Sequence, residues 1–274
     1  MRILFTAALL LSCSIQPSEK KGVRVVSLAP SLTEIVFALN RGDNLVGVTT
    51  HCDYPPAAGT KYKVGDFSNQ SLERIILTRP DLVLVNLPEQ TRIKNELEKL
   101  RIKTYNSSPE TIEDILLDIR ELGRILSAVL RADSLIDSLR RELAATSRAV
   151  GSDSPAVYLE ISPQPLVTVG GKSYINEAIE RAGGRNVFRD LSVDYPVVAQ
   201  EEIIRRNPDV IFILHDAPTG TRIGWGRVSA VKQKRIYYDI DPDLVFRPGP
   251  RIIEGIKQMH QRLSPMSARL HLVL

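Results

Sequence analysis

Short apolar runs alternate with segments of helical periodicity over most of the chain. Runs with the length of strands occupy residues 24–28, 45–48, 81–85, 103–105, 156–161, 209–214 and 236–240. Continuous apolar runs are typical of parallel strands that are covered on both faces. Their alternation with helices favours right-handed crossovers between strands of one sheet. The pattern predicts an α/β fold with parallel central sheets.

The middle of the chain departs from this alternation. Between residues 112 and 143, apolar residues keep helical spacing for about nine turns. Pro109 predicts the start of this region, because proline favours the first helical position. The sequence RADS at residues 131–134 predicts a break, and a second helix follows to about residue 150. We expect that helix to be a bridge, and we predict the N-terminal lobe at 23–130, the bridging helix at 131–150 and the C-terminal lobe at 151–274.

One motif occurs twice in the chain. Residues 72–85 have the sequence LERIILTRPDLVLV, and residues 200–213 have QEEIIRRNPDVIFI. Glu73 aligns with Glu201, both copies continue into Pro-Asp and an apolar run, and Asp-Tyr-Pro precedes each copy. A period of half a chain is too long for a solenoid. The repeat predicts two similar lobes with a ligand between them.

The first residues have the pattern of a secretory signal. Arg2 precedes an apolar run at residues 3–11, far shorter than the roughly 20 residues that cross a bilayer. Leu-Leu-Ser-Cys at residues 10–13 also resembles the bacterial lipobox, in which the chain is cut before a cysteine that is then acylated. We therefore expect residues 1–22 to be a lipoprotein signal and tether, with Cys13 lipidated and the protein exported to the periplasm or cell surface. The alternative is an ordinary signal peptide with a chance cysteine.

Charge and cysteine content narrow the function classes. The 36 Lys and Arg against 32 Asp and Glu give a net charge of +4, which is too small and too dispersed to argue for nucleic acid. The chain has two cysteines, so a lipidated Cys13 leaves Cys52 without a disulfide partner. A mature chain of about 260 residues can be stable on its hydrophobic core alone.

Enzyme signatures are weak or missing in the sequence. Gly171-Lys172-Ser173 resembles the end of a P-loop, but the first glycine of that motif would fall at Leu166. The chain has no GxSxG, HExxH or CxxC motif, and its four histidines are scattered. We expect no catalytic residues and no cofactor.

Loops that follow strands supply candidate binding residues, because they face the ligand crevice of a parallel sheet. His51 could donate a hydrogen bond or approach a metal in the ligand; an exposed loop histidine is the alternative. Phe67 and Tyr195 suit flat apolar contact, or else each caps the core of a lobe. Arg247 precedes the last helix, predicted at 250–263, and suits carboxylate, phosphate or amide oxygens.

Three acidic residues lie at predicted helix starts. Ser31 with Glu34 fits a capping box. Glu73 and Glu201 lie in the first turns of short helices, where an acidic residue stabilises the helix by about 0.3–1 kcal/mol. Helix stabilisation does not explain why both copies keep this glutamate while neighbouring residues differ.

Five segments together resemble the helical-backbone class of ABC-importer substrate-binding proteins. They are VVSLAPSLTEIVFAL, LVGVTTHCDYPP, KVGDFSNQSLERIILTRPDLVLV, GGKSYINEAIERAGGRNVF and RPGPRIIEGI. The resemblance covers residues 23–263 and is nearest to the cobalamin-binding branch, whose relatives bind siderophores and haem. It implies two pseudo-symmetric α/β lobes joined by one long helix, and binding without covalent chemistry.

The resemblance also implies a set of ligand-binding residues in the cleft. They are Pro30, Ser31, His51, Phe67, Asn86, Thr168, Tyr195 and Arg247. Asn86 and Thr168 stand where a cobalamin binder has aromatic side chains. No residue is expected to ligate a metal ion directly, although His51 could reach the axial face of a metal in the ligand.

The same class implies protein partners. One acidic residue on each lobe docks into arginine pockets of a two-subunit permease, and Glu73 and Glu201 match those positions. We expect a monomer that captures cobalamin or a related corrinoid and delivers it to an ABC permease with its ATPase. Haem or a ferric siderophore is the alternative ligand. An exported small-molecule enzyme and an adhesion or scaffold lipoprotein are alternatives from other classes.

Overall fold

Two separate sheets organise the chain, as the sequence pattern predicts. A computed structural model describes residues 22–146, 153–216 and 222–264. The strands are β1 (Val25–Ser27), β2 (Leu45–Val48), β3 (Leu82–Asn86), β4 (Thr104–Ser107), β5 (Ala156–Pro163), β6 (Leu166–Thr168), β7 (Arg185–Asn186), β8 (Val210–Ile213) and β9 (Ile236–Tyr237). The helices are α1 (Pro30–Ala38), α2 (Pro56–Gly59), α3 (Leu72–Leu77), α4 (Thr91–Lys99), α5 (Ile112–Ile125), α6 (Val129–Thr146), α7 (Tyr174–Arg181), α8 (Gln200–Arg206), α9 (Ser229–Lys232), α10 (Asp243–Phe246) and α11 (Ile252–Leu263).

The N-terminal lobe is built on four parallel strands in the order β2-β1-β3-β4. The central strands are buried because helices cover both faces of the sheet. Ser27 pairs in register with Val48 of β2 and Leu84 of β3. The carboxyl ends of these three strands therefore lie at one edge, together with Asn86 at the end of β3 and the loop that carries His51.

The C-terminal lobe has the strand order β6-β5-β8-β9, with β7 also paired to β5. The strands β7, β8 and β9 are parallel to their neighbours, as predicted. In contrast, β6 is antiparallel to β5 and was not predicted as a strand. Only Gln164 and Pro165 separate β5 from β6, and a connection this short makes a hairpin rather than a crossover.

The duplicated motif makes the same contact in both lobes. Asp81, just before β3, accepts a hydrogen bond from the backbone N–H of Arg24 at 2.8 Å. Asp209, just before β8, accepts one from the backbone N–H of Ala156 at 2.9 Å. Each aspartate links the start of one strand to the start of its parallel neighbour. The repeated Pro-Asp is therefore explained by the architecture of the sheets.

The long helical region divides between α5 and α6 at residues 126–128, where Ser127 has a φ of 54°. The predicted break at 131–134 is wrong, because Ala132 is buried within α6 and packs against α5. A Cβ on Gly123 would lie 2.4 Å from the Ala132 Cβ, so the absence of a side chain there permits this close approach.

The helix α6 contacts both lobes. Its buried residues Ile136, Leu139 and Leu143 belong to a core shared with α5, α7 and α11. Glu142 also forms a 2.6 Å ion pair with Lys257 of α11. Its start at Val129 precedes the predicted 131, and the predicted segment 147–150 lies outside the described residues.

Two predicted helix starts are wrong. The helix α1 begins at Pro30 after the N-cap Ala29, so Ser31 lies inside the first turn and forms no capping box. The helix α5 begins after Thr111, whose hydroxyl and the Asp114 carboxylate form a capping box, rather than at Pro109.

The N-terminal signal and Cys13 lie outside the described residues. In the described ranges, none of the helices combines the length and apolar character needed to cross a membrane. Cys52 is a buried free thiol there.

Candidate ligand-binding cleft

Two adjoining cavities lie between the lobes, with volumes of about 680 Å³ and about 390 Å³. Four residues line both: Phe67 and Asn86 from the N-terminal lobe, and Phe246 and Pro248 from the C-terminal lobe. The two cavities are therefore parts of one cleft. It opens where loops leave the carboxyl ends of the parallel strands, the usual ligand position in such sheets.

Both lobes contribute to the walls. The larger cavity is also lined by Leu87, Pro88, Glu89, Thr91, Ser108, Pro109, Glu110, Ile161, Ser173, Tyr174, Asp194 and Tyr195. The smaller is also lined by Ala29, Pro30, Ser31, His51, Ser68, Asp243 and Arg247.

Seven of the eight predicted ligand-binding residues line this cleft, and Thr168 does not. Thr168 is fully buried in β6, and its hydroxyl donates a 2.7 Å hydrogen bond to the backbone oxygen of Leu159. A small hydroxyl side chain can point into the hairpin because its hydrogen bond is made there. A large aromatic side chain at this position would have to point away from the hairpin. The expectation that Thr168 faces the ligand is therefore corrected.

A buried glutamine that sequence reasoning missed holds the Phe67 loop. Gln90 is 2% exposed, and its Nε2 donates to the backbone oxygens of Leu28 at 2.8 Å and Phe67 at 3.0 Å. Its Oε1 accepts from the Asn86 backbone N–H at 2.9 Å. One side chain thus fixes the ends of β1 and β3 and the Phe67 loop relative to one another.

The Phe67 loop is also closed by local hydrogen bonds. Asp66 Oδ1 accepts from the backbone N–H groups of Asn69 at 2.6 Å and Ser68 at 2.8 Å. The hydrogen bond from Asn69 lowers the pKa of Asp66, so the carboxylate stays ionised at neutral pH. Gly65 adopts a φ of 123° with Asn69 O 2.4 Å from the position of a Cβ, which only glycine tolerates.

The opposite wall is anchored inside the C-terminal lobe. Ser173 caps α7 by accepting from the Ile175 backbone N–H at 3.1 Å, so Gly171-Lys172-Ser173 is a helix start. Tyr174 donates a 3.1 Å hydrogen bond to the Val245 backbone oxygen, and burial raises its pKa so that it remains a donor. This bond fixes the segment that precedes Phe246 in the cleft.

An ion-pair cluster joins the lobes at the end of the cleft near His51. Arg247 Nη1 lies 2.7 Å from Asp53 Oδ1 and 3.2 Å from Glu34 Oε1. Arg251 binds both carboxylate oxygens of Glu34, at 2.8 Å and 2.6 Å, and its guanidinium lies 3.9 Å from the ring centroid of Tyr54. The predicted binding residue Arg247 is thus in the cleft but already paired.

His51 is exposed and lines the smaller cavity. Across the described ranges, His, Cys, Asp and Glu side chains form no group of three or more that could hold a metal ion.

Glu73 and Glu201 lie away from the cleft, exposed in the first turns of α3 and α8. Within the described parts of the chain, neither carboxylate has an ion pair. Glu202, next to Glu201, pairs with both Arg205 and Arg206. Of the two neighbouring glutamates in α8, Glu202 is thus the paired one.

Comparison with known proteins extends these observations. A family model described as "Periplasmic binding protein" matches residues 25–244. An uncharacterized ABC transporter substrate-binding lipoprotein of Bacillus subtilis is 32% identical over 260 residues, which cover 90% of this chain and 82% of that protein. A vitamin B12-binding protein of Vibrio parahaemolyticus is 34% identical over 239 residues, which cover 85% of this chain and 86% of the relative.

Solved structures have the same architecture. The vitamin B12-binding protein of Vibrio cholerae superposes with a TM-score of 0.74 at 27% identity, covering 88% of this chain and 96% of that chain. A possible iron-binding periplasmic protein of Staphylococcus epidermidis gives 0.77 at 28% identity, covering 90% and 100%. The predicted two-lobed fold and the expectation of a binding protein rather than an enzyme are confirmed. The chain belongs to the periplasmic binding protein family.

Proposed function

We propose that this chain is the substrate-binding component of an ABC importer and that it captures cobalamin or a related corrinoid. Its similarity to a protein named for vitamin B12 binding, over most of both chains, supports this ligand class. The cleft would bind without covalent chemistry, by burying a large ligand between two walls that a few polar groups orient.

The observation that carries the proposal is a cleft with two opposed walls, one from each lobe, both of which contribute apolar side chains. A corrin ring presents broad apolar faces and an amide-rich edge. Apolar side chains come from both lobes: Phe67, Leu87 and Pro88 from one, and Ile161, Tyr174, Phe246 and Pro248 from the other. Such walls suit a flat ring, because rigid aromatic and proline side chains lose little entropy on contact.

The polar groups of the cleft suit the edge of such a ring. The side chains of Ser31, His51 and Tyr195 can donate hydrogen bonds to the side-chain amides of such a ligand or accept hydrogen bonds from them. His51 either donates to an amide or approaches the axial face of the metal. Because α6 packs on both α5 and α11, we propose that the lobes close only slightly on the ligand.

A ferric siderophore or haem is the second candidate. The resemblance implies aromatic side chains at positions 86 and 168. Asn86 is polar, and its Nδ2 donates a 2.9 Å hydrogen bond to the Glu89 carboxylate. Thr168 is buried in the core. The cleft therefore has fewer aromatic contacts than the resemblance implies. The similarity to a possible iron-binding protein favours the same candidate.

Titration distinguishes the corrinoid from the haem or siderophore assignment. Purified protein should be titrated with cyanocobalamin, haemin and a ferric siderophore, followed by absorbance and calorimetry. We expect saturable cyanocobalamin binding with a Kd below about 10 μM. Saturable binding of haemin or the siderophore, with no cyanocobalamin binding in that range, would overturn the corrinoid assignment.

We further propose export and a lipid anchor at Cys13. The Bacillus subtilis relative is named as a lipoprotein, which supports this. The Cys13→Ala variant should appear in the soluble fraction of cells, whereas Cys52→Ala, which changes the buried thiol, should stay with the membranes. Sedimentation of Cys13→Ala with the membranes would contradict the anchor.

We propose that Glu73 and Glu201 dock the protein on the permease. Two lobes of similar structure can present the same charge to each half of a two-subunit partner. Both carboxylates are exposed in equivalent helices and have no internal ion pair within the described parts of the chain. Charge-assisted hydrogen bonds to arginines of the permease would then form without breaking internal contacts.

A further inference from the structure

The charges that line the cleft are unbalanced. Four acidic residues line the two cavities: Glu89, Glu110, Asp194 and Asp243. Arg247 is the only arginine among the lining residues in the described part of the chain, and lysine is absent from that lining. A ligand that enters this cleft therefore meets more negative than positive charge.

The charge of Arg247 is already compensated. Its guanidinium lies 2.7 Å from Asp53 Oδ1, 2.6 Å from Asp243 Oδ2 and 3.2 Å from Glu34 Oε1. Its side chain is only 12% exposed. An arginine among three carboxylates has few donors left for an incoming anion.

The neighbouring arginine does not change this balance. Arg251 is committed to both oxygens of Glu34. The cluster therefore contains two guanidinium groups and three carboxylates. Two of these carboxylates are accessible: the side chain of Asp53 is 62% exposed, and that of Asp243, which lines the smaller cavity, is 44% exposed, whereas that of Glu34 is 2% exposed. The hydrogen bond from Arg247 lowers the pKa of Asp53, so Asp53 is ionised at neutral pH.

We propose that Asp53 and Asp243 together determine charge specificity: by neutralising Arg247, they make the cleft select chelates without free carboxylates. The selected ligand class is a neutral or cationic metal chelate with amide or hydroxyl groups at its edge. The inference rests on the proposed ligand-binding function of the cleft and adds the charge of the ligand. A carboxylate on the ligand would be repelled by these acidic side chains and would gain little from an arginine that is already paired, so it should weaken binding by about tenfold or more.

Matched ligand pairs test this proposal. The first pair is cyanocobalamin and its monocarboxylate derivatives, in which one ring amide has been hydrolysed. The second pair is haemin dimethyl ester and haemin, which share a ring and differ in two carboxylates. Dissociation constants should be measured for the wild-type protein, for the double variant Asp53→Asn with Asp243→Asn, and for the control Asp43→Asn, which changes an exposed aspartate away from the cleft.

We expect the uncharged member of a pair to bind the wild type more tightly. Replacing both aspartates should narrow that difference severalfold, because Arg247 then keeps only its contact with Glu34, and Asp43→Asn should leave it unchanged. Equal affinities within a pair, or a difference that the double variant does not alter, would overturn the proposal. A purely structural role of Asp53 and Asp243 would weaken the binding of both members of a pair alike and is thereby distinguished.

The two pairs separate this proposal from the choice of ligand. If only the porphyrins bind, the corrinoid assignment fails, and the comparison of ester with acid still decides the charge specificity. If cyanocobalamin binds but its monocarboxylates bind equally well, the charge proposal fails and the corrinoid assignment stands. Lack of saturable binding for both pairs contradicts both.

Discussion

Arg251, which precedes α11, holds Glu34 of α1 through two hydrogen bonds of 2.8 Å and 2.6 Å, and this contact joins the two lobes. Glu34 is buried, and it also accepts from Arg247. A bidentate pair of this kind fixes both the distance and the orientation of its partners. The position that resembled a helix cap in the sequence is therefore a fixed point between the lobes.

Replacing Glu34 by Gln should destabilise the protein. The variant leaves two arginines facing a neutral amide in a buried position, so we expect a loss of about 2–3 kcal/mol in the free energy of unfolding. Urea denaturation followed by circular dichroism measures this loss. Glu254→Gln, which alters an exposed glutamate on α11, is the control and should change stability by less than about 0.5 kcal/mol. Similar midpoints for both variants would show that the inter-lobe pair is dispensable.

Removing the hydrogen bonds of Gln90 should weaken ligand binding. In Gln90→Met, a side chain of similar size fills the space but no longer holds the Phe67 loop. Since Phe67 lies where the two cavities meet, we expect the Kd of the ligand found by titration to rise by about tenfold. Gln261→Met, on an exposed position, controls for the chemical change. A Kd equal to that of the wild type would show that the loop holds its position without Gln90.

The sequence predicts the strands and the candidate cleft for physical reasons that can be named. Continuous apolar runs such as the one at β3 are covered on both faces, so their pattern is strong. His51 lies in the loop after β2 and Asn86 ends β3, and parallel strands place such residues at one edge. The duplicated motif predicts the two-lobed organisation, because each copy builds the same strand and helix in its own lobe.

Other features depend on contacts between segments distant in sequence. Glu34 and Arg251 are separated by 217 positions, and no local pattern links them. Gln90 is a polar residue directly before α4, and only the packed loops make it buried. The Thr168 side chain is buried because β5 and β6 form a hairpin. A pattern of apolar residues does not reveal that these two strands pair antiparallel.

A buried network in the C-terminal lobe should control acid stability. Glu160 is fully buried, with Arg222 Nη1 and Nη2 at 2.5 Å and His215 Nε2 at 2.9 Å. Burial alone would raise its pKa, but the hydrogen bonds from Arg222 and His215 lower it below the ordinary 4.5. A lowered pKa gives stability that is present above pH 4.5 and is lost as the pH falls through the folded-state value.

Glu160→Gln should therefore cost about 3 kcal/mol of unfolding free energy near pH 7. The difference from the wild type should shrink below about pH 4.5, where the wild-type carboxylate is protonated on unfolding. Chemical denaturation at several pH values measures this difference. Glu180→Gln, a surface change on α7, should give no pH-dependent difference. A difference for Glu160→Gln that stays constant with pH would exclude an ionised Glu160 in the folded state.

Replacing both repeated glutamates should abolish transport without affecting binding. Glu73→Ala combined with Glu201→Ala removes two exposed charges outside the cleft, so the ligand Kd should stay within twofold. Uptake of radiolabelled cobalamin by cells that depend on this protein should fall to background. The control, Glu98→Ala with Glu254→Ala, also removes one exposed glutamate from each lobe and should transport normally. Normal uptake by the Glu73→Ala, Glu201→Ala variant would contradict the docking proposal.

The two aromatic residues shared by the cavities should contribute most of the apolar binding energy. Phe67 and Phe246 come from opposite lobes and line both parts of the cleft. Truncation to Ala removes a rigid ring surface that a flat ligand would cover, so each variant should bind at least tenfold more weakly, a loss of about 1.4 kcal/mol or more. Phe→Leu at either position should retain part of the affinity because it retains part of the apolar surface. Tyr62→Ala, which truncates an aromatic residue outside the lining, is the matched control and should bind like the wild type. If Phe67→Ala weakens binding but Phe246→Ala does not, the ligand contacts only the N-terminal lobe, which contradicts a cleft closed by two walls.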